Sequence, residues 1–119
     1  MKMIIVENDK DMSAIIRDVL KEEGYSVSVV RSGEIALNRI KREQFDLMLL
    51  DYKLSGISGL TVLERLRKMK PLMKVIMMSA FADEAVKRKA RELRACAFLD
   101  KPFSIKRMAA VVKKALKRK

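Results

Sequence analysis

The sequence predicts a doubly wound α/β fold of the (βα)5 type, a five-stranded parallel sheet with helices on both faces. Three observations carry that expectation. Short continuous apolar runs alternate with longer stretches of helical spacing, and turn residues punctuate the switches. The 119 residues suffice for one core and are too few for two ordinary domains. Half of them are apolar and 35% are charged, the balance of a soluble globular chain.

The strands are expected at Met3 to Val6, Ser26 to Val30, Leu47 to Leu50, Lys74 to Met78 and Ala95 to Leu99. Each is short and mostly apolar, as strands covered on both faces should be. The first helix follows from the spacing of Met12, Ile15, Ile16, Val19 and Leu20, with Gly24 closing it in a left-handed turn. Ser32 caps a second helix carrying Ile35, Ala36, Leu37 and Ile40. Leu60, Val62, Leu63 and Leu66 mark a third, which must stop before Pro71 because proline disfavours helix at the preceding residue. Asp83 caps a fourth that runs through Ala90 and Leu93, and Ser104 a fifth through Met108, Val111, Val112 and Ala115. Lys117, Arg118 and Lys119 are expected to fray. One domain over residues 1–119, without an output domain, is the expected organisation.

Composition excludes several kinds of chemistry. The apolar stretch Met3 to Val6 runs into Glu7, Asp9 and Lys10, too short for a signal peptide or a membrane span, so a cytoplasmic location is expected. The single cysteine, Cys96, allows no internal disulfide and no cysteine-rich zinc site, and reads as a small buried hydrophobe. Histidine is absent, which leaves carboxylates, hydroxyls and lysines as the reactive groups. The nine methionines read as core filling, with Met48, Met77 and Met78 in strands and Met108 on an apolar helix face.

In open parallel sheets ligands bind at the carboxyl ends of the strands. Polar residues interrupt the apolar runs at those ends: Glu7, Asn8 and Asp9, then Asp51, Ser79 and Lys101. Asp51 directly follows Leu47 to Leu50, where an ionised carboxylate is expected to stay solvated and nucleophilic. A carboxylate that attacks phosphorus needs the charge on the equatorial oxygens neutralised by a hard cation and by fixed donors. Glu7 suits Mg2+, Lys101 an ammonium contact to a phosphoryl oxygen, and Ser79 a hydroxyl donor. Taken singly, each has a blander reading as a cap, a turn or a solvated surface charge. Their joint placement at strand ends favours phosphoryl chemistry.

At these residues the chain resembles the receiver domains of two-component response regulators along essentially its whole length. The phosphoacceptor loop is matched by Asp51-Tyr52-Lys53-Leu54-Ser55-Gly56-Ile57-Ser58-Gly59, the strand 4 hydroxyl by Ser79-Ala80, and the lysine-proline motif by Lys101-Pro102-Phe103. The resemblance implies the flavodoxin-like, CheY-like strand order 2-1-3-4-5. It implies phosphorylation of Asp51 by a histidine kinase or histidine phosphotransferase in a two-component system or phosphorelay. Mg2+ would be held by Glu7, Asn8, Asp51 and the backbone carbonyl of Lys53, and a cis peptide would precede Pro102. Ser79 and Phe98 match the pair through which the family couples phosphorylation to the surface of helix 4, strand 5 and helix 5. The chain is thus expected to be a phosphoryl acceptor with self-dephosphorylation rather than an enzyme. Lys53 and the short C-terminus are similar to those of the single-domain intermediate of sporulation phosphorelays.

Three departures qualify the match. Asn8 stands where the family usually has a second carboxylate, which predicts weak Mg2+ binding. Asp9, next door, could compensate but is better read as the cap of the first helix. Ser55 replaces a frequent proline and Arg94 a frequent glycine, loop changes expected to matter little. The rival reading is a degenerate receiver acting as a phosphorylation-independent interaction module.

Charge adds a last expectation. Residues 83–119 carry 13 Lys or Arg against four Asp or Glu, within a total net charge of +12. That excess favours an acidic protein partner. Nucleic acid is disfavoured because stacking aromatics are scarce, with Phe98 and Phe103 alone in this region. A monomer or weak dimer, without membrane association, is the expected state.

Overall fold

The computed structural model describes residues 1–80 and 83–117. Strands and helices alternate: β1 (Lys2–Val6), α1 (Lys10–Glu22), β2 (Ser26–Val30), α2 (Gly33–Arg42), β3 (Leu47–Asp51), α3 (Gly59–Met69), β4 (Lys74–Ser79), α4 (Glu84–Glu92), β5 (Ala97–Asp100) and α5 (Ile105–Lys117). The strands are parallel and ordered β2-β1-β3-β4-β5, the 2-1-3-4-5 arrangement. The register aligns Val6 with Leu50, Leu50 with Met77, and Met77 with Phe98. The carboxyl ends of β1, β3, β4 and β5 therefore form one rim.

Alternation along the strands divides the interior into two cores. Ile4, Val6, Met48, Leu50, Val75 and Met77 pack with Leu37, Ile40, Val62, Leu63 and Leu66 of α2 and α3. Met3, Ile5, Leu47, Leu49, Ile76 and Met78 face the other way, against Ile16 and Leu20 of α1 and Met108 and Val112 of α5. This explains why the central strands are continuously apolar: successive residues enter different cores. Each fully buried Leu, Ile or Met stabilises the fold by roughly 1.5–3 kcal/mol relative to exposure. Met48, Met77, Met78 and Met108 are all fully buried, as core-filling residues should be.

The helix ends follow local chemistry. Asp9 accepts from the N–H groups of Asp11 and Met12, Ser32 from Ile35, Ser58 from Thr61, Asp83 from Val86 and Ser104 from Arg107. Gly24, at φ 95, follows the last residue of the α1 cap, and α3 ends before Pro71. A guanidinium closes the opposite end of the molecule from the rim. Arg67 donates to the carbonyls of Leu93 (2.6 Å), Met73 (2.6 Å) and Arg94 (3.1 Å), tying α3 to the end of α4 and the start of β4.

Several boundaries differ from the expected ones. β5 begins at Ala97 rather than Ala95, because α4 closes through Arg94 in a left-handed conformation (φ 63) and the Ala95 N–H returns to the Ala90 carbonyl. Cys96 is consequently half-buried, not a core residue. Arg94 was expected to be a neutral replacement for glycine, yet it holds a backbone conformation that side chains other than glycine's disfavour. β3 and β4 each extend by one residue to include Asp51 and Ser79. Lys117 completes α5, while Arg118 and Lys119 lie outside the described residues.

Candidate functional site

Asp51 ends β3, where it aligns with Met78, and its backbone enters the ladder like the apolar residues before it. The following loop folds back: the Tyr52 N–H donates to the Met78 carbonyl, and the Gly59 N–H to the Tyr52 carbonyl at 2.7 Å. Gly59 lies so close to the Asp51 carbonyl that a Cβ there would overlap it. Glycine is required at this point by space, and the start of α3 is thereby held under the acceptor candidate.

The Asp51 side chain was expected to be solvated, but Asp51 is only 5% exposed and Glu7 only 2%. Lys101 bridges them, its Nζ 2.6 Å from Glu7 Oε1 and 3.1 Å from Asp51 Oδ2. Burial pushes the Asp51 pKa up, and the neighbouring Glu7 carboxylate pushes it further, while Lys101 opposes both; the result is about 6. Burial works against the Lys101 charge, but hydrogen bonds to Glu7 and Asp51 outweigh it and hold its pKa above the ordinary lysine value. The second Glu7 oxygen accepts from the Asp9 N–H at 3.3 Å. The Lys101–Pro102 peptide is cis.

Around this triad is a cleft of about 330 Å³ lined by Glu7, Asn8, Asp9, Asp51, Lys53, Ala80 and Lys101. Asn8 is exposed, and its Nδ2 donates to Ser55 Oγ at 3.5 Å across the mouth of the cleft. Ser55, expected to be a loop variation of small consequence, is the hydrogen-bond partner of Asn8, the residue that distinguishes this site. Asp9 lines the cleft but commits one carboxylate oxygen to capping α1. Ser79 is buried at the end of β4, and its carbonyl accepts from the Lys101 N–H at 2.8 Å. Phe98 is half-buried one strand further out, with Lys87 Nζ 5.7 Å above its ring. It lines a separate groove with Lys87 and Arg91.

The sequence-predicted residues Glu7, Asn8, Asp51, Lys53 and Lys101 thus converge on one cleft, with Ser79 beneath its rim and Phe98 outside it. Ser55 and Gly59 were the residues whose roles were missed. Gly59 could have been suspected from its place just after a capping serine, since glycine opening a helix signals close packing more than flexibility.

The donor set fits a hard divalent cation. Glu7 and Asp51 supply carboxylates, Asn8 an amide oxygen and Lys53 a backbone carbonyl, all oxygen donors of the kind Mg2+ prefers. The two buried carboxylates repel one another, and a cation between them would relieve that repulsion. Among the described residues no group of three or more Asp, Glu, His or Cys side chains is arranged to hold a metal ion, so the donor set combines two carboxylates with neutral oxygens.

Comparison with known proteins agrees with this geometry. The profile of the response regulator receiver domain matches residues 3–113. Sporulation initiation phosphotransferase F of Bacillus subtilis is 31% identical over 115 residues, 97% of this chain and 93% of that protein. Among solved structures, a CheY-like receiver domain protein from Methanospirillum hungatei superimposes with a TM-score of 0.93 at 29% identity, covering 97% of this chain and 92% of that one. The BeF3-activated DrrB receiver domain superimposes with a TM-score of 0.88 at 27% identity, over 98% of this chain and 97% of that one.

Proposed function

The chain belongs to the response regulator receiver family, and on that premise we propose that Asp51 accepts a phosphoryl group from a phosphohistidine of a histidine kinase or histidine phosphotransferase. The protein is a phosphoacceptor switch of two-component or phosphorelay signalling. The observation that carries the assignment of Asp51 is the buried bridge in which Lys101 holds both Glu7 and Asp51 at the rim.

In the transfer, an Asp51 carboxylate oxygen bonds to phosphorus as the bond from phosphorus to the donor imidazole nitrogen breaks. That nitrogen, now an anionic leaving group, takes a proton from solvent. Attack needs the ionised form, and an Asp51 pKa of about 6 leaves the carboxylate mostly ionised at neutral pH. Lys101 is placed to exchange its Asp51 contact for a phosphoryl oxygen while remaining paired with Glu7. Mg2+, when bound by Glu7, Asn8, Asp51 and the Lys53 carbonyl, would offset the charge of the other phosphoryl oxygens. Ser79 is proposed to donate its hydroxyl to the phosphorylated state, and Phe98 to change rotamer in response. Water entering the same cleft would account for self-dephosphorylation. Residues 1–119 act as one receiver unit in the cytoplasm on this reading; among the described residues no helix is long and apolar enough to cross a membrane.

Incubation with acetyl phosphate across a Mg2+ titration, followed by intact mass, tests the proposal. One phosphoryl group should add, and Asp51→Asn should abolish the addition. No addition at any Mg2+ concentration would instead identify a phosphorylation-independent interaction module. Because Asn8 supplies a neutral oxygen, the Mg2+ midpoint should fall about tenfold in Asn8→Asp, the gain of one charged ligand. An unchanged midpoint overturns the role given to Asn8.

A further inference from the structure

We propose that Ser55 is a positioning residue for Mg2+ binding: its hydroxyl holds the Asn8 amide with the nitrogen turned outward and the oxygen, the end able to ligate a cation, turned to the Asp51 cleft. The inference rests on the reading of Glu7, Asn8, Asp51 and the Lys53 carbonyl as the Mg2+ donors. Asn8 Nδ2 donates to Ser55 Oγ at 3.5 Å, a contact between residues 47 positions apart. It is the one hydrogen bond of the Asn8 side chain among the described residues. Asn8 lines the cleft and Ser55 does not. The oxygen and nitrogen of an amide lie on opposite sides of its carbon, so an amide whose nitrogen faces Ser55 presents its oxygen away from it.

Both ends of this contact are anchored. On one side the Glu7 N–H donates to the Val30 carbonyl at 3.1 Å, the Asp9 N–H donates to Glu7 Oε2 at 3.3 Å, and Asp9 caps α1. Those contacts fix the backbone before and after Asn8 and leave its side-chain torsions to be set by Ser55. On the other side, Leu54 and Ile57 pack against the core beneath α2 and α3. Gly56 makes a left-handed turn (φ 81) against Glu34, so close that a Cβ would lie 2.7 Å from the carboxylate. Ser55 is thus exposed yet presented from a held loop.

Orientation matters because the two ends of an amide have opposite chemistry. The oxygen accepts and can ligate a hard cation, whereas the NH2 group only donates. Lys101 stands as one ammonium between the two carboxylates of Glu7 and Asp51. The balance is negative, and before a cation binds, a freely turning amide would offer its NH2 group to those carboxylates. Mg2+ would then have to reverse the amide in order to bind. Ser55 supplies an acceptor outside the cleft that takes the NH2 group instead, and so prepares the oxygen for the metal. A carboxylate, with two equivalent oxygens, needs no such orientation, and a residue at position 55 without a hydroxyl could not give it. The two departures noted in the sequence, Asn8 and Ser55, therefore act as one unit.

The test is the Mg2+ affinity of the full, unphosphorylated chain, read from backbone amide shifts in proton–nitrogen NMR spectra as MgCl2 is added. Parent, Ser55→Ala, Ser55→Thr, Asn8→Asp and the Asn8→Asp/Ser55→Ala double variant are compared. The bond is long and exposed, so Ser55→Ala should weaken Mg2+ binding by about threefold, and Ser55→Thr, which keeps the hydroxyl, should stay within about 1.5-fold of the parent. In the Asn8→Asp background the same Ser55→Ala change should move the affinity by less than about 1.5-fold. Unchanged affinity in Ser55→Ala, an equal loss in both backgrounds, or a Ser55→Thr variant as weak as Ser55→Ala would each overturn the positioning role. Tighter binding in Ser55→Ala would overturn it too, by showing that the hydroxyl holds the amide the other way round. A parent that binds no Mg2+ overturns this inference whatever the variants do, and the reading of the metal donors falls with it only if Asn8→Asp binds none either. The spectra recorded before MgCl2 is added check that each variant keeps the fold.

Discussion

Asp51 is a residue whose stability and chemistry pull in opposite directions. Its pKa is raised from the ordinary 3.8 to about 6, so the folded chain holds the proton more tightly than the unfolded chain does. The fold is consequently favoured by protonation, and stability should decline as pH rises through the window between those two values. In metal-free buffer, Asp51→Asn should be more stable than the parent by about 1–3 kcal/mol above pH 7, an advantage that shrinks as pH falls from about 6 to about 4. Urea melts at both ends of that range check this, and an advantage equal at both would refute it. Little of this could be read from sequence. A carboxylate after an apolar run announces a strand end, but its burial depends on Glu7 and Lys101, which are 44 and 50 positions away. Arg94 shows the same limit on a smaller scale: its left-handed backbone predicts that Arg94→Gly stabilises the fold by up to about 1 kcal/mol, since relief of the side-chain clash exceeds the added freedom of the unfolded chain. A thermal melt measures it, and a lower melting temperature would contradict the strain.

The elements were more legible than the residues. Asp9, Ser32, Asp83 and Ser104, all read as caps from sequence, and Ser58, which was not, each satisfy N–H groups of the first turn that follows, which is local chemistry within a few residues. The central strands were legible for a different reason: covered on both faces, they have no polar side to hide. β5 was misjudged at its start because Ala95 and Cys96 are as apolar as the strand itself, and only the backbone turn at Arg94 separates them from it. The close approach of α3 to β3 is an element-scale feature with a sharp test. Gly59→Ala must push the helix start away from the Asp51 carbonyl and the Tyr52 backbone. It should lower stability by about 1–3 kcal/mol, as overpacking does, and slow phosphorylation of Asp51 as well. A urea midpoint unchanged from the parent would show that the helix shifts without cost.

On the scale of the whole molecule, two cores share one sheet, and the ends of that sheet differ in kind. One end carries the carboxylates and Lys101; at the other, Arg67 gathers the carbonyls of Leu93, Met73 and Arg94. Replacing Arg67 with Ala strands those acceptors and should cost about 2–4 kcal/mol, measurable by urea unfolding, whereas a loss under about 1 kcal/mol would mean that water replaces the guanidinium. Strand order itself was accessible only through family resemblance, because nothing in local periodicity says which strands become neighbours. The Arg67 contact also has a mechanical meaning. α4 is held by Arg67 where it ends and by the Lys87–Asp100 ion pair toward its start, so a swing of this helix that breaks that pair has its fulcrum near Leu93 and a travel that grows with distance toward Glu84. A small displacement near the rim would thus be read out as rotation of a lever rather than as sliding of a rod.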